Sequence, residues 1–285
     1  MDGCSDADVR EALVRVLPGF APGSDEFSCN PLDGGINRRS FLLTVRDRQY
    51  VLRRPVVGAA GLLTLAAEAQ VMQAAADAGL APRVVGVDPA SGLLLTEYLA
   101  STVRWTTADI REPGNIDRIA SLLRVLHQVP SRAPKFGAAQ ITARYLAAPG
   151  TQDSALVSWR DELVALAHDY DANYPATALC HNDLVAANVL DDGGLKLIDF
   201  EYAVRAAPVL DLANLTGMND FTPAQCRHLL DAYYRRSVPF TAAQFDDVVR
   251  MVRLMAFFWA LVAERQVVDA AAYSQVAERM AYALK

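Results

Sequence analysis

The chain has 285 residues, a formal net charge of -6 and a pI near 5.3. This balance excludes a general binder of nucleic acid or anionic membranes, which carries a basic excess. Hydrophobic residues make up 52% and charged residues 21%, so the chain has the means to build a large core and is not intrinsically disordered. An anionic substrate stays open, because it needs only a local positive pocket.

The N-terminus, MDGCSDADVREALVRVLPGF, is polar and acidic and lacks the form of a signal peptide. Within it Val9, Leu13, Val16 and Leu17 have amphipathic spacing, which predicts a helix over residues 6–17, capped by Asp6 or Asp8 and ended by Pro18-Gly19. FLLTV and QYVLR then read as strands around the turn Arg46-Asp47-Arg48. Residues 62–78, rich in Ala and Leu with Glu68 inside, predict a helix stopped at Gly79. RVVGVD and GLLLTEYL predict two more strands around Pro89-Ala90-Ser91-Gly92. From about Ser101 helical patterns dominate, over residues 115–129, 156–174, 223–235 and 242–265. Only CHNDLVAANVLDDGGLKLIDFEYA, from Cys180, interrupts them, with strands NVL and LKLIDF around Asp191-Asp192-Gly193-Gly194.

Cys4, Cys29, Cys180 and Cys226 stand far apart with no CxxC pair. That spacing argues against disulfides and structural zinc, and for a reduced cytoplasm. The most apolar run, LMAFFWALVA from Leu254, has ten residues and is too short to cross a bilayer. His127, His168 and His228 have no sequence neighbours that suggest catalysis and read as structural or surface residues.

The chemistry concentrates in the Cys180 stretch. His181-x-Asp183 is followed by Asn188, and eleven residues later by Asp199-Phe200. Two oxygen-bearing side chains brought together by a hairpin, Asn188 and Asp199, suit a hard cation such as Mg²⁺. Asp183 stands apart as a proton acceptor.

This order resembles the protein-kinase set His-x-Asp-x-x-x-x-Asn followed by Asp-Phe-Gly, with Asn182 and Glu201 in place of its Arg and Gly. CHNDLVAANVL and LIDFEYA resemble the choline/ethanolamine kinases and, more broadly, the aminoglycoside phosphotransferases. The resemblance implies an α+β, bilobal, kinase-like fold. Residues 1–98 would form an antiparallel-sheet lobe, and residues 99–285 a mainly helical lobe holding the catalytic hairpin and acceptor site. It implies ATP and Mg²⁺ as cofactors. Asp183, Asn188, Asp199 and His181 become the catalytic set, with Asn188 and Asp199 on the metal and His181 buttressing the loop. Asp211, in VLDLANL, braces that loop.

Upstream, Asp33-Gly34-Gly35-Ile36-Asn37 resembles the phosphate-covering loop, so Gly34, Gly35 and Asn37 are assigned to nucleotide. Arg53 takes the place of the phosphate-binding Lys and pairs with Glu68. Thr96-Glu97-Tyr98-Leu99 becomes the hinge, where the backbone at Glu97 and Leu99 meets adenine. In AFFWALVAERQ, Trp259 matches the first aromatic wall of a quaternary-ammonium site, and the second wall falls at Val262. Tyr273 is the candidate replacement for that wall. Glu201 is the leading anionic contact for a cationic acceptor, with Asp220 and Glu264 as further candidates.

The implied activity is phosphoryl transfer to a hydroxyl of a small, cationic molecule of choline/ethanolamine type. The alternatives are an aminoglycoside, thiamine or amino-sugar kinase, and, in another class, a catalytically silent nucleotide-binding regulator. Retention of Asp183, Asn188 and Asp199 argues against the last. The absence of an Ala-Pro-Glu segment after Asp199 argues against protein substrates. The expected partner is a small alcohol or amino alcohol, with no nucleic acid and no membrane, bound by a monomer or homodimer.

Overall fold

The structure is a computed structural model; it describes residues 5–32, 38–55, 61–266 and 270–285. The expected phosphate loop, with Gly34, Gly35 and Asn37, lies outside the described residues.

The chain opens with helix α1, Asp6–Val16, whose first turn is capped by the Ser5 hydroxyl rather than by an Asp. Strands β1 (Phe27–Leu32), β2 (Arg38–Val45) and β3 (Arg48–Pro55) follow, then helix α2 (Leu65–Asp77), capped by Thr64, and strands β4 (Val84–Asp88) and β5 (Leu93–Glu97). The five strands form one antiparallel sheet in the order β1-β2-β3-β5-β4. Arg46, at φ 54°, makes the β2–β3 turn. α1 covers one face: Val9, Leu13 and Val16 pack with Leu43, Leu52 and Leu95 in a core of their own. Gly86 is required where the end of α1 meets β4, because a Cβ there would stand 1.9 Å from the Val16 carbonyl oxygen.

After Glu97 the chain leaves this sheet. A short strand β6, Val103–Arg104, is followed by α3 (Thr107–Arg111), α4 (Pro113–Leu126), α5 (Ala138–Leu146) and α6 (Val157–Asn173). Strand β7 (Ala178–Cys180) leads into the polar stretch that begins at Cys180, with β8 (Val189–Asp191), β9 (Leu195–Leu197) and β10 (Val204–Ala206). β6, β8 and β9 form one small sheet, and β7 pairs with β10 in another. Helices α7 (Val209–Met218), α8 (Pro223–Tyr234), α9 (Ala242–Ala263) and α10 (Ala271–Ala283) complete the chain. The starts of α8 and α9 are fixed by capping boxes, Thr222 with Gln225 and Thr241 with Gln244.

α7 is the spine of the helical part. Nine of its ten residues, from Val209 to Gly217, are buried, so it shows no polar face and escapes a search for amphipathic periodicity. The same large core takes in Ile119 and Leu123 of α4, Leu212 of α7, Leu254 and Phe258 of α9, and also Ala69, Met72 and Ala75 of α2. Thus α2 precedes the boundary at residue 98 in sequence but is packed with the helices that follow it.

Two expectations are corrected here. Cys29 is disulfide-bonded, whereas Cys180 and Cys226 are free thiols. Spacing along the chain says nothing of which cysteines the fold brings together, and it was spacing that argued against any disulfide. Asp199 lies two residues beyond β9, in the left-handed region at φ 69°, and not on a strand. No helix among the described residues is long and apolar enough to cross a membrane.

Candidate active site

The stretch from Cys180 folds as a loop suspended beneath α7. Asp211, fully buried on the first turn of that helix, accepts backbone N–H bonds from His181 at 2.9 Å and Asn182 at 2.8 Å. Asn182 has φ 61°, a left-handed conformation that Asn visits more readily than other non-glycine residues, and these bonds hold it there. One turn further along α7, Asn214 Oδ1 accepts from the Leu184 N–H at 2.6 Å, and its Nδ2 donates to the Asn182 carbonyl. Asn219 accepts from the Ala186 N–H at 3.0 Å and donates to the Leu184 carbonyl at 2.7 Å. His127, at the C-terminal cap of α4, bridges Asp211 at 3.1 Å and the Tyr233 hydroxyl at 2.7 Å through its two ring nitrogens.

His127 therefore is structural, and Asp211 braces the loop. Asn214 and Asn219 were missed. Their signal was present as two amides in a run that is mostly apolar, since a buried amide demands hydrogen-bond partners. His181 Nε2 donates to the Ile198 carbonyl at 3.0 Å, and the ring lies 4.6 Å from that of Phe200. Burial pulls its pKa down, so a neutral imidazole ties the loop to the approach of Asp199.

The loop, the turn after β9 and α7 thereby bring Asp183, Asn188, Asp199 and Glu201 onto one cavity of about 490 Å³. Asn188 Nδ2 donates to the Asp183 carboxylate at 2.9 Å and to its carbonyl at 3.0 Å, which leaves the amide oxygen for another partner. Burial pushes the Asp183 carboxyl up to about 8, helped by the charges of Asp199 and Glu201 and opposed by the Asn188 hydrogen bond. A carboxyl tuned to that range suits proton transfer near neutral pH.

Arg53, on β3, reaches this cluster from the sheet side. Its guanidinium pairs with Glu68 of α2 at 2.7 Å and with Asp199 at 2.5 Å. Burial opposes its charge, but the carboxylates of Asp199, Glu68 and Glu201 outweigh burial and raise its pKa. Glu68 has no exposed surface at all, so the charge pair predicted from sequence is a buried one, where loss of either partner is expensive. Glu97 and Leu99 open the segment that leaves the sheet. The Glu97 side chain is exposed, its N–H donates to the Arg83 carbonyl at 3.0 Å, and the Leu99 carbonyl accepts from the Thr102 hydroxyl at 3.0 Å.

Glu201 is buried and lines the cavity. Its carbonyl accepts from the N–H groups of Leu62 and Leu63, at 2.9 and 3.0 Å. Gly61 permits that approach, because a Cβ there would lie 2.7 Å from the same oxygen. Trp259 lines the cavity from α9, with its ring edge-on to Tyr202 at 6.1 Å between centroids.

Tyr273 does not line the cavity. It is 1% exposed and packs behind the Trp259 indole, with 5.5 Å between centroids, because its position on α10 faces the core shared with Ala277 and Met280. Asp220 is placed among Arg111 and Arg253, and Glu264 accepts from the Ser274 hydroxyl at 2.7 Å. Neither lines the cavity.

The donor set fits a hard cation: Asp199 and Asn188 present oxygens on one cavity flanked by two further carboxylates. A buried arginine beside them fits phosphate oxygens.

Comparison with known proteins agrees with this geometry. Residues 28–247 match the phosphotransferase enzyme family, APH. The protein LicA of Haemophilus influenzae is 25% identical over 234 residues, covering 79% of this chain and 68% of that protein. A thiamine kinase of Salmonella heidelberg is 31% identical over 163 residues, covering 56% of this chain and 54% of the enzyme. Among solved structures, the choline kinase LicA from Streptococcus pneumoniae superposes with a TM-score of 0.81 at 22% identity, covering 98% of both chains. These likenesses show a kinase-like fold with an antiparallel-sheet lobe and a helical lobe. With the family match spanning most of its length, the chain belongs to the phosphotransferase enzyme family.

Proposed function

We propose that the chain is an ATP- and Mg²⁺-dependent kinase that phosphorylates the hydroxyl of a small, cationic alcohol of choline or ethanolamine type. The observation that carries this reading is the convergence of Asp183, Asn188, Asp199 and Glu201 on a single cavity that Trp259 also lines. Asp183 accepts the proton of the acceptor hydroxyl as its oxygen bonds to the γ-phosphorus and the bond from phosphorus to the ADP oxygen breaks. Asn188 and Asp199 would hold Mg²⁺, which when bound screens the phosphate charge. Arg53, steadied by Glu68, binds phosphate oxygens, and the loop with Gly34, Gly35 and Asn37 covers them. The backbone near Glu97 and Leu99 receives adenine. A solved LicA structure in complex with AMP, 21% identical at a TM-score of 0.81, supports a nucleotide in this fold.

Glu201 supplies a buried negative charge beside the aromatic face of Trp259, and the two together favour an ammonium group. Val262, where a second aromatic wall is expected, keeps thiamine or an aminated sugar as the second reading. The cytoplasm, which supplies ATP and Mg²⁺, is the compartment this reading assigns, with the enzyme acting as a monomer or homodimer.

The test is coupled ADP release with MgATP and choline, ethanolamine, thiamine and several aminoglycosides. Acceptor-stimulated turnover should fall at least about a thousandfold in Asp183→Ala. Unchanged turnover in that variant would remove Asp183 from the mechanism.

A further inference from the structure

α9 and α10 form the outer wall of the cavity, and each contributes one stripe. From α9 it is Val252, Met255, Ala256 and Trp259; from α10 it is Ala272, Gln275, Val276 and Arg279. Both sets have the spacing i, i+3, i+4, i+7, one face of a helix. The adjoining stripe of α10, Tyr273, Ala277 and Met280, packs into the protein. Arg279 therefore lines the cavity because of the rotational setting of the whole helix. Among the described residues it has no hydrogen-bond or ion-pair partner.

The two helices run antiparallel. Trp259 meets Tyr273 at one end, and Arg250 donates to the Leu284 carbonyl at 3.0 Å at the other. Arg279 lies six positions beyond Tyr273, so its Cα stands about 9 Å along the axis from the level of Trp259 at the helical rise of about 1.5 Å per residue. Trp259 in turn abuts Tyr202, the neighbour of Glu201. The cavity lining thus carries carboxylates at Asp183, Asp199 and Glu201, the aromatic face of Trp259 beside them, and one cation, the solvent-exposed Arg279, about two turns of α10 away.

Resting on the function proposed above, we infer that the natural acceptor is longer than choline or ethanolamine: a cationic alcohol with an anionic or hydrogen-bond-accepting group on an arm beyond its ammonium, read by Arg279. Arg279 is a specificity-determining residue, and the cavity binds its acceptor by both ends.

The experiment compares choline with two quaternary ammonium alcohols that extend one N-substituent, a butyl group in one and a carboxypropyl group in the other. ADP release and thermal shift are both measured, in the wild type and in Arg279→Gln and Arg279→Glu. The carboxypropyl compound should have a KM about fivefold below that of the butyl compound, the value of one exposed ion pair of about 1 kcal/mol. Arg279→Gln should abolish the difference and Arg279→Glu should reverse it.

Equal KM values for the two long compounds, or a preference that survives in Arg279→Gln, would overturn the inference. So would an effect confined to the KM for ATP, which would assign Arg279 to the nucleotide. If no amino alcohol supports ADP release, the functional reading fails. The thermal shift then still decides the role of Arg279, since carboxylate-dependent stabilisation must vanish in Arg279→Gln.

Discussion

Asp211→Asn isolates the bracing of the catalytic loop, because it keeps the shape of the side chain and removes one acceptor and the charge. The wild-type carboxylate accepts from the His181 and Asn182 N–H groups, at 2.9 and 2.8 Å, and contacts His127 at 3.1 Å. The Asn side chain satisfies one N–H through its oxygen. Its NH₂ group then faces a second donor, either a backbone N–H or the His127 ring, depending on how the amide is turned. A buried donor left unsatisfied costs about 1–3 kcal/mol, and a bond to a charged acceptor is worth about 1.5–3 kcal/mol. The net loss expected is about 3 kcal/mol.

At about 2–4 °C per kcal/mol for a chain of this class, Tm should fall by about 6–12 °C. The left-handed turn at Asn182 would relax, moving Asp183, and a displacement of about 1 Å costs on the order of a hundredfold in rate. Calorimetry and ADP release below the new Tm separate the two effects. The KM for ATP should hold within about threefold, since Arg53 and Glu68 make no bond to Asp211. A variant with wild-type Tm and kcat would refute the assignment of Asp211 as the brace. A fall in Tm with unchanged kcat would show that the fold tolerates a slack loop.

The β8 hairpin is clamped to α4 by Arg118, whose guanidinium meets both oxygens of Asp191 at 2.6 Å. The Arg118 hydrogen bonds, with help from the Gly193 N–H and the Trp105 indole, lower the Asp191 pKa to about 2 from 3.8. A depressed carboxylate stabilises the fold above its unfolded pKa, and that contribution is lost as pH falls from about 4 to about 2. Arg118 is about a third exposed, so solvent screening leaves the pair about 1 kcal/mol. Arg118→Ala should cost that much at neutral pH and flatten urea-measured stability between about pH 4 and 2; an unchanged acid slope would contradict it. Gly61→Ala should cost about 1–3 kcal/mol by pressing a methyl group against Glu201. Because Glu201 lines the acceptor cavity, KM for the acceptor should rise with no change in KM for ATP, and a silent substitution would show that the contact yields freely.

The residues that were legible in the sequence share one property: order along the chain carried them. Asp183, Asn188 and Asp199 stand within one hairpin-sized stretch, so their spacing alone put them together. Arg53 and Glu68 were paired by the family resemblance, which puts Arg53 in the place of the phosphate-binding Lys and Glu68 on the helix that follows.

What sequence missed depends on rotation or on long-range contact. Tyr273 and Ala272 are neighbours, yet a turn of about 100° between them sends one into the core and the other to the cavity. α7 went unrecognised because uniform burial erases the contrast that periodicity needs. β6, β7 and β10 are two or three residues long and exist only through partners distant in sequence. Asn214 and Asn219 bind the loop across about thirty residues of chain, a relation no local pattern contains.

The placement of α2 changes what the two lobes mean mechanically. Residue 98 marks where the chain leaves the five-stranded sheet, a boundary of connectivity. Packing crosses that boundary: one face of the sheet joins α1 in a core of its own, while Leu94 of β5, with Val84 and Val87 of β4, joins α2 and the helices that follow in the larger core. Arg53 is on the sheet, Glu68 on α2 and Asp199 in the turn after β9. The guanidinium is therefore a rivet through three elements. Movement of the sheet relative to the helices has to work against shared apolar packing as well as against the two ion pairs of Arg53.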